Sequence, residues 1–118
     1  IIILSDGTPT RTFCYVSDAI IGYVKALNSC VKTEFNIGKS SPEISVLDFA
    51  KEFRKIGADK FTYTGNIQMK TSKEKNYLDD NPHRRKPETK KASRLLNFNA
   101  KIEIYEGISR YLDFLIYK

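Results

Sequence analysis

The chain has 118 residues, of which 41% are apolar and 12% aromatic, a composition that predicts one small folded domain and argues against global disorder. Its net charge of +6 permits binding of phosphate-bearing partners but does not identify them. No apolar run is long enough to span a bilayer, and the short apolar run at residues 1–4 lacks the basic stretch of a signal peptide.

The N-terminal part predicts two strands joined by a turn. Residues 1–5 have the composition of a short buried strand, and residues 12–16 are rich in aromatic and β-branched side chains. Residues 6–9, with the sequence Asp-Gly-Thr-Pro, are typical of a turn. We expect the two strands to form a hairpin-like pair.

The first predicted helix begins at Ser17, whose hydroxyl can cap exposed N–H groups, and Asp18, whose charge suits the positive end of the helix dipole. It ends at residues 28–29. Residues 35–38 then predict a short strand that stops at a glycine. A buried helical stripe is predicted from three apolar residues at helical spacing: Ile20, Val24 and Leu27.

The middle of the chain predicts a loop at residues 40–43 and a second helix at residues 45–56, ended by Gly57. A strand is expected at residues 61–64, and residues 66–81, polar and without periodicity, are interpreted as a surface loop. The inward face of the helix is predicted from Val46, Phe49, Ala50 and Phe53.

Two further helices are predicted near the C-terminus. Residues 89–96 form a short helix that stops at Asn97, a residue that tolerates positive φ, and residues 104–117 form the last helix. The predicted core positions are Ala92, Leu95 and Leu96 in the first, and Ile104, Ile108, Tyr111, Leu112 and Leu115 in the second. The pattern as a whole predicts an α/β chain with short strands and about four helices.

No catalytic or metal site is predicted. Cys14 and Cys30 lack metal-ligand spacing, and His83 is the only histidine. Two unpaired thiols without a secretion signal favour the cytoplasm. None of the tyrosines is followed four residues later by lysine, and no glycine-rich segment is spaced to cradle a dinucleotide, so no cofactor site is expected here.

Three segments of the chain carry recognisable motifs in a fixed order. Residues 6–18 read D-G-T-P-T-R-T-F-C-Y-V-S-D, residues 35–50 contain F-N-I-G and E-I-S-V-L-D-F-A, and residues 80–92 read D-N-P-H-R-R-K-P-E-T-K-K-A. The tail reads L-L-N-F-N-A-K followed by Y-E-G-I. Together these segments resemble one family, the extended short-chain dehydrogenase/reductases that include the NAD-dependent epimerases and dehydratases of nucleotide sugars. The subgroup most similar by motif is the UDP-glucuronate decarboxylases, with the dTDP-glucose 4,6-dehydratases and UDP-sugar 4-epimerases next.

The resemblance implies that residues 1–118 are the C-terminal, nucleotide-sugar-binding domain of a longer enzyme. Arg11 and Arg85 match the family's arginines that contact the substrate diphosphate, one on a strand and one on a loop. A guanidinium stays charged and grips two phosphate oxygens at once. Arg84 is a further substrate-binding candidate, and with Lys86 it would add a favourable field. Tyr15, Thr10 and Phe13 are interpreted as structural.

The same resemblance implies an NAD-dependent lyase or epimerase that oxidises a UDP- or dTDP-sugar at C4. Its NAD and catalytic residues would lie in a Rossmann half outside this chain, and the complete protein would be a homodimer. The start at Ile1 is interpreted as that of a fragment, which alone would be inactive and would expose apolar surface. No membrane partner is expected.

Several positions depart from the family's pattern. Leu4 stands near the place of an aromatic residue, and Ser5 replaces the first turn glycine. Asn97 and Phe98 replace glycine and tryptophan, and Glu103 stands where a capping hydroxyl is common. These differences leave the sugar and the base open.

A stand-alone basic module for nucleotides or single-stranded nucleic acid is the alternative. The net charge and the basic residues 84–91 favour it. We expect nucleic-acid binding to be the less favoured outcome because the aromatic residues fall on predicted core stripes. A structural remnant without a ligand is the third interpretation.

Overall fold

The structure, a computed structural model, describes residues 1–70 and 82–117. Four helices are present in this part of the chain: α1 Val16–Leu27, α2 Val46–Phe61, α3 Lys90–Leu96 and α4 Ile104–Ile116. Five two-residue strands accompany them: β1 Ile2–Ile3, β2 Thr10–Arg11, β3 Ile44–Ser45, β4 Gln68–Met69 and β5 Arg84–Arg85. The predicted α/β class and the four helices are confirmed.

The chain divides into two compact units. The first unit comprises Ile1–Arg11, Ile44–Arg85 and Ile108–Lys118, as far as these residues are described. The second unit comprises Thr12–Glu43 and Lys86–Gly107.

Two small sheets lie in the first unit. β1 pairs with β4 in parallel, and β2 lies between β3, which is antiparallel to it, and β5, which is parallel to it. The predicted hairpin of residues 1–5 and 12–16 is therefore wrong, because β1 pairs with β4, and the next strand along the chain is Thr10–Arg11, which belongs to the other sheet. The β4 strand also corrects the prediction of an unstructured loop from residue 66. Residues 71–81 of that predicted loop lie outside the described part.

The turn between β1 and β2 follows the sequence prediction. Gly7 has φ +78°, which favours glycine, and a β-carbon there would lie 2.8 Å from the β-carbon of Leu47. The backbone N–H of Leu47 donates to the Gly7 carbonyl at 3.0 Å. Ser5, which replaces the family's turn glycine, accepts a bond from the Gly7 N–H at 3.1 Å. A serine hydroxyl thus stabilises the turn directly.

Helix α2 is longer than its sequence predicts. It begins after Ser45, whose hydroxyl accepts a hydrogen bond from the Asp48 N–H at 3.0 Å, and it ends at Thr62 with φ +53°. Gly57 is buried inside the helix, where Tyr63 covers it. The predicted stop at Gly57 and the predicted strand at residues 61–64 are therefore wrong. The predicted inward face of α2 is confirmed as buried or half-buried.

Helix α1 in the second unit begins one residue before the predicted cap. Tyr15 precedes it without a side-chain cap, so the prediction that Ser17 caps this helix is wrong. Asp18 is buried, and its carboxylate accepts bonds of 2.8 Å from the backbone N–H groups of Lys101 and Ile102. The carboxylate therefore ties α1 to a distant loop.

The predicted apolar stripe of α1 does not form a core. Ile20, Val24 and Leu27 are about half exposed or more. The buried residues of the helix are Asp18 and Gly22, one turn apart, and Gly22 is crowded by Ile37 and Phe98 of the same unit. The helix therefore packs through its small and polar side, and its large apolar side chains face outwards.

The core of the second unit is built around α3. Ala92, Leu96 and Phe98 are buried, and Ala26, Phe35, Ile37 and Ala100 pack against them. Asn97 ends α3 with φ +48°, as predicted. Three other expectations are wrong: Leu95 is exposed, and residues 12–15 and 35–38 are irregular.

The part of α4 in the first unit is held by α2. Lys60 of α2 bonds to the Ser109 hydroxyl at 2.6 Å and to the Asp113 carboxylate at 2.9 Å. The rings of Phe53 and Tyr111 lie 6.4 Å apart between centroids. Ile108 is buried and Leu112 half-buried, but Tyr111 and Leu115 of the predicted stripe are exposed. The stripe is thus only partly a core.

Within residues 1–70 and 82–117, no helix has the length and apolar character needed to cross a bilayer.

Candidate functional site

The candidate site is the face of the three-stranded sheet that carries Arg11. In the register of β2 and β5, Arg11 is paired with Arg85 and Thr10 with Arg84. Paired residues on neighbouring strands point to the same side of a sheet, and successive residues point to opposite sides. Arg11 and Arg85 therefore share one face, and Arg84 lies on the other face with Thr10.

The placement of Arg85 corrects one expectation. The resemblance implied that Arg11 lies on a strand and Arg85 on a loop. Instead, both lie on adjacent parallel strands, whose separation is about 4.8 Å. Like charges directly opposite each other destabilise a sheet, so an anion bound by both guanidinium groups would relieve their repulsion. Arg84 and Arg85 are exposed to solvent.

Backbone carbonyl groups orient the guanidinium of Arg11. Its Nη1 donates to the Thr10 carbonyl at 2.6 Å and to the His83 carbonyl at 3.3 Å. The His83 carbonyl also accepts the N–H of Thr10 at 2.8 Å. The His83 carbonyl oxygen, which lies just before β5, thus accepts hydrogen bonds from both Thr10 and Arg11 of β2.

The His83 side chain is connected to the N-terminal turn. Its Nε2 lies 3.1 Å from the hydroxyl of Thr8. The carboxylate of Asp6 accepts bonds from the Thr8 N–H at 3.0 Å and from the Thr8 hydroxyl at 2.8 Å. The backbone bond from Thr8, then its side-chain bond, and then the charge of His83 lower the pKa of Asp6. We call Asp6, Thr8 and His83 the turn relay.

The sequence prediction missed the turn relay. His83 stood out only as the single histidine, whereas Thr8 is 75 positions away and looked like an ordinary turn residue. The one available signal was local: aspartate followed two positions later by threonine is typical of a turn in which the carboxylate accepts from the backbone.

The remaining candidates contribute differently. Lys86, expected to strengthen the positive field, belongs to the second unit, where its Nζ lies 4.0 Å from the carboxylate of Glu43. The negative charge of Glu43 counteracts the positive field that was expected from Lys86. Tyr15 is half-buried, and in the same unit a β-carbon built on Gly107 would lie 3.1 Å from its ring. This position is consistent with a packing role.

Among the residues that the structure describes, no group of three or more histidine, cysteine, aspartate or glutamate side chains is placed to hold a metal ion. Of the third motif of the resemblance, residues 80 and 81 lie outside the described part.

No protein-family model matches the sequence. The sequence does align with curated proteins: it is 32% identical to UDP-glucuronic acid decarboxylase 1 of Arabidopsis thaliana over 94% of this chain and 23% of the plant protein. It is also 27% identical to the Bacillus cereus UDP-glucuronic acid 4-epimerase in complex with UDP-glucuronic acid and NAD. That structure superposes with a TM-score of 0.76 over 97% of this chain and 35% of the epimerase.

The resemblance to the NAD-dependent epimerase/dehydratase family is confirmed. A further structure shows the fold alone: UDP-glucose 4-epimerase of Thermotoga maritima, 20% identical, has a TM-score of 0.83 over 99% of this chain and 35% of the epimerase. The match is to the C-terminal portion of these epimerases, as the sequence predicts. The chain spans about a quarter of the length of its curated relatives in the family and about a third of the epimerases.

Proposed function

We propose that this chain anchors the diphosphate of a UDP- or dTDP-sugar within an NAD-dependent epimerase, dehydratase or decarboxylase. The observation that carries the proposal is the in-register pair of Arg11 and Arg85 on one face of the sheet. The Arabidopsis relative is a UDP-glucuronic acid decarboxylase, and the Bacillus neighbour binds UDP-glucuronic acid. UDP-glucuronic acid is therefore the first substrate to test.

The chemistry of anchoring suits this pair. Each planar guanidinium offers paired N–H donors to two phosphate oxygens and remains charged at every physiological pH. Because the diphosphate does not react, its binding energy is available to hold the sugar in the orientation that the reaction requires. Arg84, on the opposite face, would contribute only through its long-range field.

This chain is not suited to hold NAD. Its six glycines include no glycine-rich segment that joins a strand to a helix, and that arrangement is what brings helix N–H groups close to a dinucleotide pyrophosphate. We therefore propose that NAD, which supplies the oxidation and reduction of the sugar, is bound by another part of the enzyme. The 118-residue chain alone is expected to reduce no NAD. Reduction of NAD by the purified chain would contradict this part of the proposal.

The matched variants Arg85→Ala and Arg84→Ala test the anchoring role. Both remove an exposed arginine from β5, but only Arg85 is in register with Arg11. Hydrogen bonds to charged groups contribute about 1.5–3 kcal/mol, which corresponds to roughly 10- to 150-fold in affinity. Arg85→Ala and Arg11→Ala should each weaken UDP binding by that factor, measured by calorimetric titration of the complete protein encoded by the gene.

Arg84→Ala is the control and should weaken UDP binding by no more than about threefold, the size of a screened surface interaction. Equal losses for Arg84→Ala and Arg85→Ala would show that general charge, and not the Arg11 face, binds the ligand. UDP binding that survives both Arg11→Ala and Arg85→Ala would overturn the proposed anchor.

A basic nucleic-acid-binding module remains the alternative, and one observation favours it. The sequence argument against it was that aromatic side chains form the core, but Tyr23, Tyr63, Tyr105, Tyr111, Phe114 and Tyr117 are exposed. Single-strand binding surfaces combine exposed aromatic rings with a positively charged groove, and the exposure of these rings supplies the first of the two features. A salt-dependent affinity for oligonucleotides that exceeds the affinity for UDP would favour this alternative.

A further inference from the structure

The turn relay has a defined hydrogen-bond direction. A carboxylate oxygen accepts only, so the Thr8 hydroxyl donates its single proton to Asp6 across the 2.8 Å contact. The Thr8 oxygen can then only accept from His83, whose Nε2 must carry a proton across the 3.1 Å contact. Asp6 thereby sets the position of Thr8, and Thr8 sets the position of the His83 ring.

The relay reaches the arginine face through the backbone of His83. The ring of this residue is held by Thr8, while its carbonyl accepts from the Thr10 N–H at 2.8 Å and from Arg11 Nη1 at 3.3 Å. A shift of the His83 backbone would therefore move the acceptor that orients the Arg11 guanidinium. It would also disturb the hydrogen bond that joins the segment before β5 to β2.

We propose that Asp6, Thr8 and His83 are positioning residues that set the Arg11 guanidinium for its contact with the substrate diphosphate. The inference rests on the proposed anchoring function and assigns roles to three residues in addition to the arginines. These residues act through Arg11 and do not themselves contact the ligand. Phosphate recognition would then depend on a turn that is distant in sequence from β5.

A double-mutant cycle tests this inference on the complete protein, with UDP as the probe. Thr8→Val removes the hydroxyl and keeps the shape of the side chain, and Thr8→Ser restores the hydroxyl. We expect Thr8→Val to weaken UDP binding about three- to tenfold, the effect of one lost hydrogen bond, and Thr8→Ser to bind within about twofold of the unmodified protein. Asp6→Ala should weaken UDP binding by the same factor as Thr8→Val. It takes the place of Thr8→Val if Thr8→Val does not fold.

The decisive comparison is made in the Arg11→Ala background. If the relay acts through Arg11, Thr8→Val should cause no further loss of affinity there. Ser109→Ala is the matched control. Ser109 lies on α4 in the same unit, and the variant removes its hydroxyl, which accepts a hydrogen bond from Lys60 of α2. This variant should leave UDP binding unchanged.

The outcomes separate the two proposals. A positioning role is overturned if Thr8→Val and Asp6→Ala both bind UDP like the unmodified protein, if Thr8→Ser does not rescue binding, or if Thr8→Val causes the same loss in the Arg11→Ala background. If Arg11→Ala itself leaves UDP binding unchanged, the anchoring function fails, and the relay has no arginine to position.

Discussion

Cys14 and Cys30 have different surroundings in the second unit. Cys14 is half-buried, and burial followed by the charge of Asp18 raises the pKa of its thiol, while Lys39 lowers it in part. Cys30 is exposed. Since the thiolate is the reactive form, Cys14 should react with iodoacetamide several-fold more slowly than Cys30 at neutral pH.

Peptide mapping by mass spectrometry over a time course measures both rates. In denaturant, where the burial of Cys14 is lost, the difference between the two cysteines should largely disappear. Faster modification of Cys14 than of Cys30 in the folded protein would contradict the burial of Cys14 in this unit.

At the same scale, Arg11 and Arg85 became candidate ligands because each stands in a motif that resembles the family. Neither motif showed that the two arginines lie in register on adjacent strands, and the residues that contact Arg11 through the backbone were not predicted. His83 was missed because a contact with Thr8 across 75 positions leaves no local pattern. Lys39 was missed for a similar reason: it is buried, and its Nζ pairs at 2.7 Å with Glu103, which comes 64 positions later.

Among the elements, the serines at the starts of α1 and α2 provide a direct comparison, because the sequence predicted a cap for Ser17 and none for Ser45. Ser45 caps α2 through its bond to the Asp48 N–H, whereas Ser17 lies inside α1 and caps nothing. Ser45→Ala should lower the free energy of unfolding by about 1 kcal/mol, and Ser17→Ala should change it by less than about 0.5 kcal/mol. Urea unfolding followed by circular dichroism measures both. Equal losses would contradict the observed start of α1.

The helices could be predicted better than the strands, for a physical reason. Helices α2, α3 and α4 carry capping or apolar signals over several turns, so their existence was predicted and only the boundaries shifted. The strands have two residues each, too short for an alternating pattern, and their pairing is set by distant partners. Gly57 shows the limit of glycine as a stop signal, because the covering ring of Tyr63 stabilises a helix that continues past it.

For the molecule as a whole, the resemblance to the family predicted the fold class. It did not predict which side of each helix is buried. The apolar stripe of α1 predicted a core, yet the helix packs through Gly22, because Ile37 and Phe98 approach too closely for a larger side chain. Which side of a helix is buried thus depends on the shape of the partner surface as well as on periodicity. The division of the chain into two compact units was also beyond the reach of local patterns.

The proposed anchoring of the diphosphate by Arg11 and Arg85 is tested most directly by following UDP-glucuronic acid consumption by the complete protein with NAD, over a range of substrate concentrations, for the unmodified protein and Arg85→Ala. We expect NAD-dependent consumption by the unmodified protein, and a KM that rises by roughly tenfold or more in the variant because the diphosphate loses one of its two anchors. No consumption of UDP-glucuronic acid would contradict the choice of this sugar nucleotide as substrate, and a KM that Arg85→Ala leaves unchanged would contradict the assignment of this face to the substrate diphosphate.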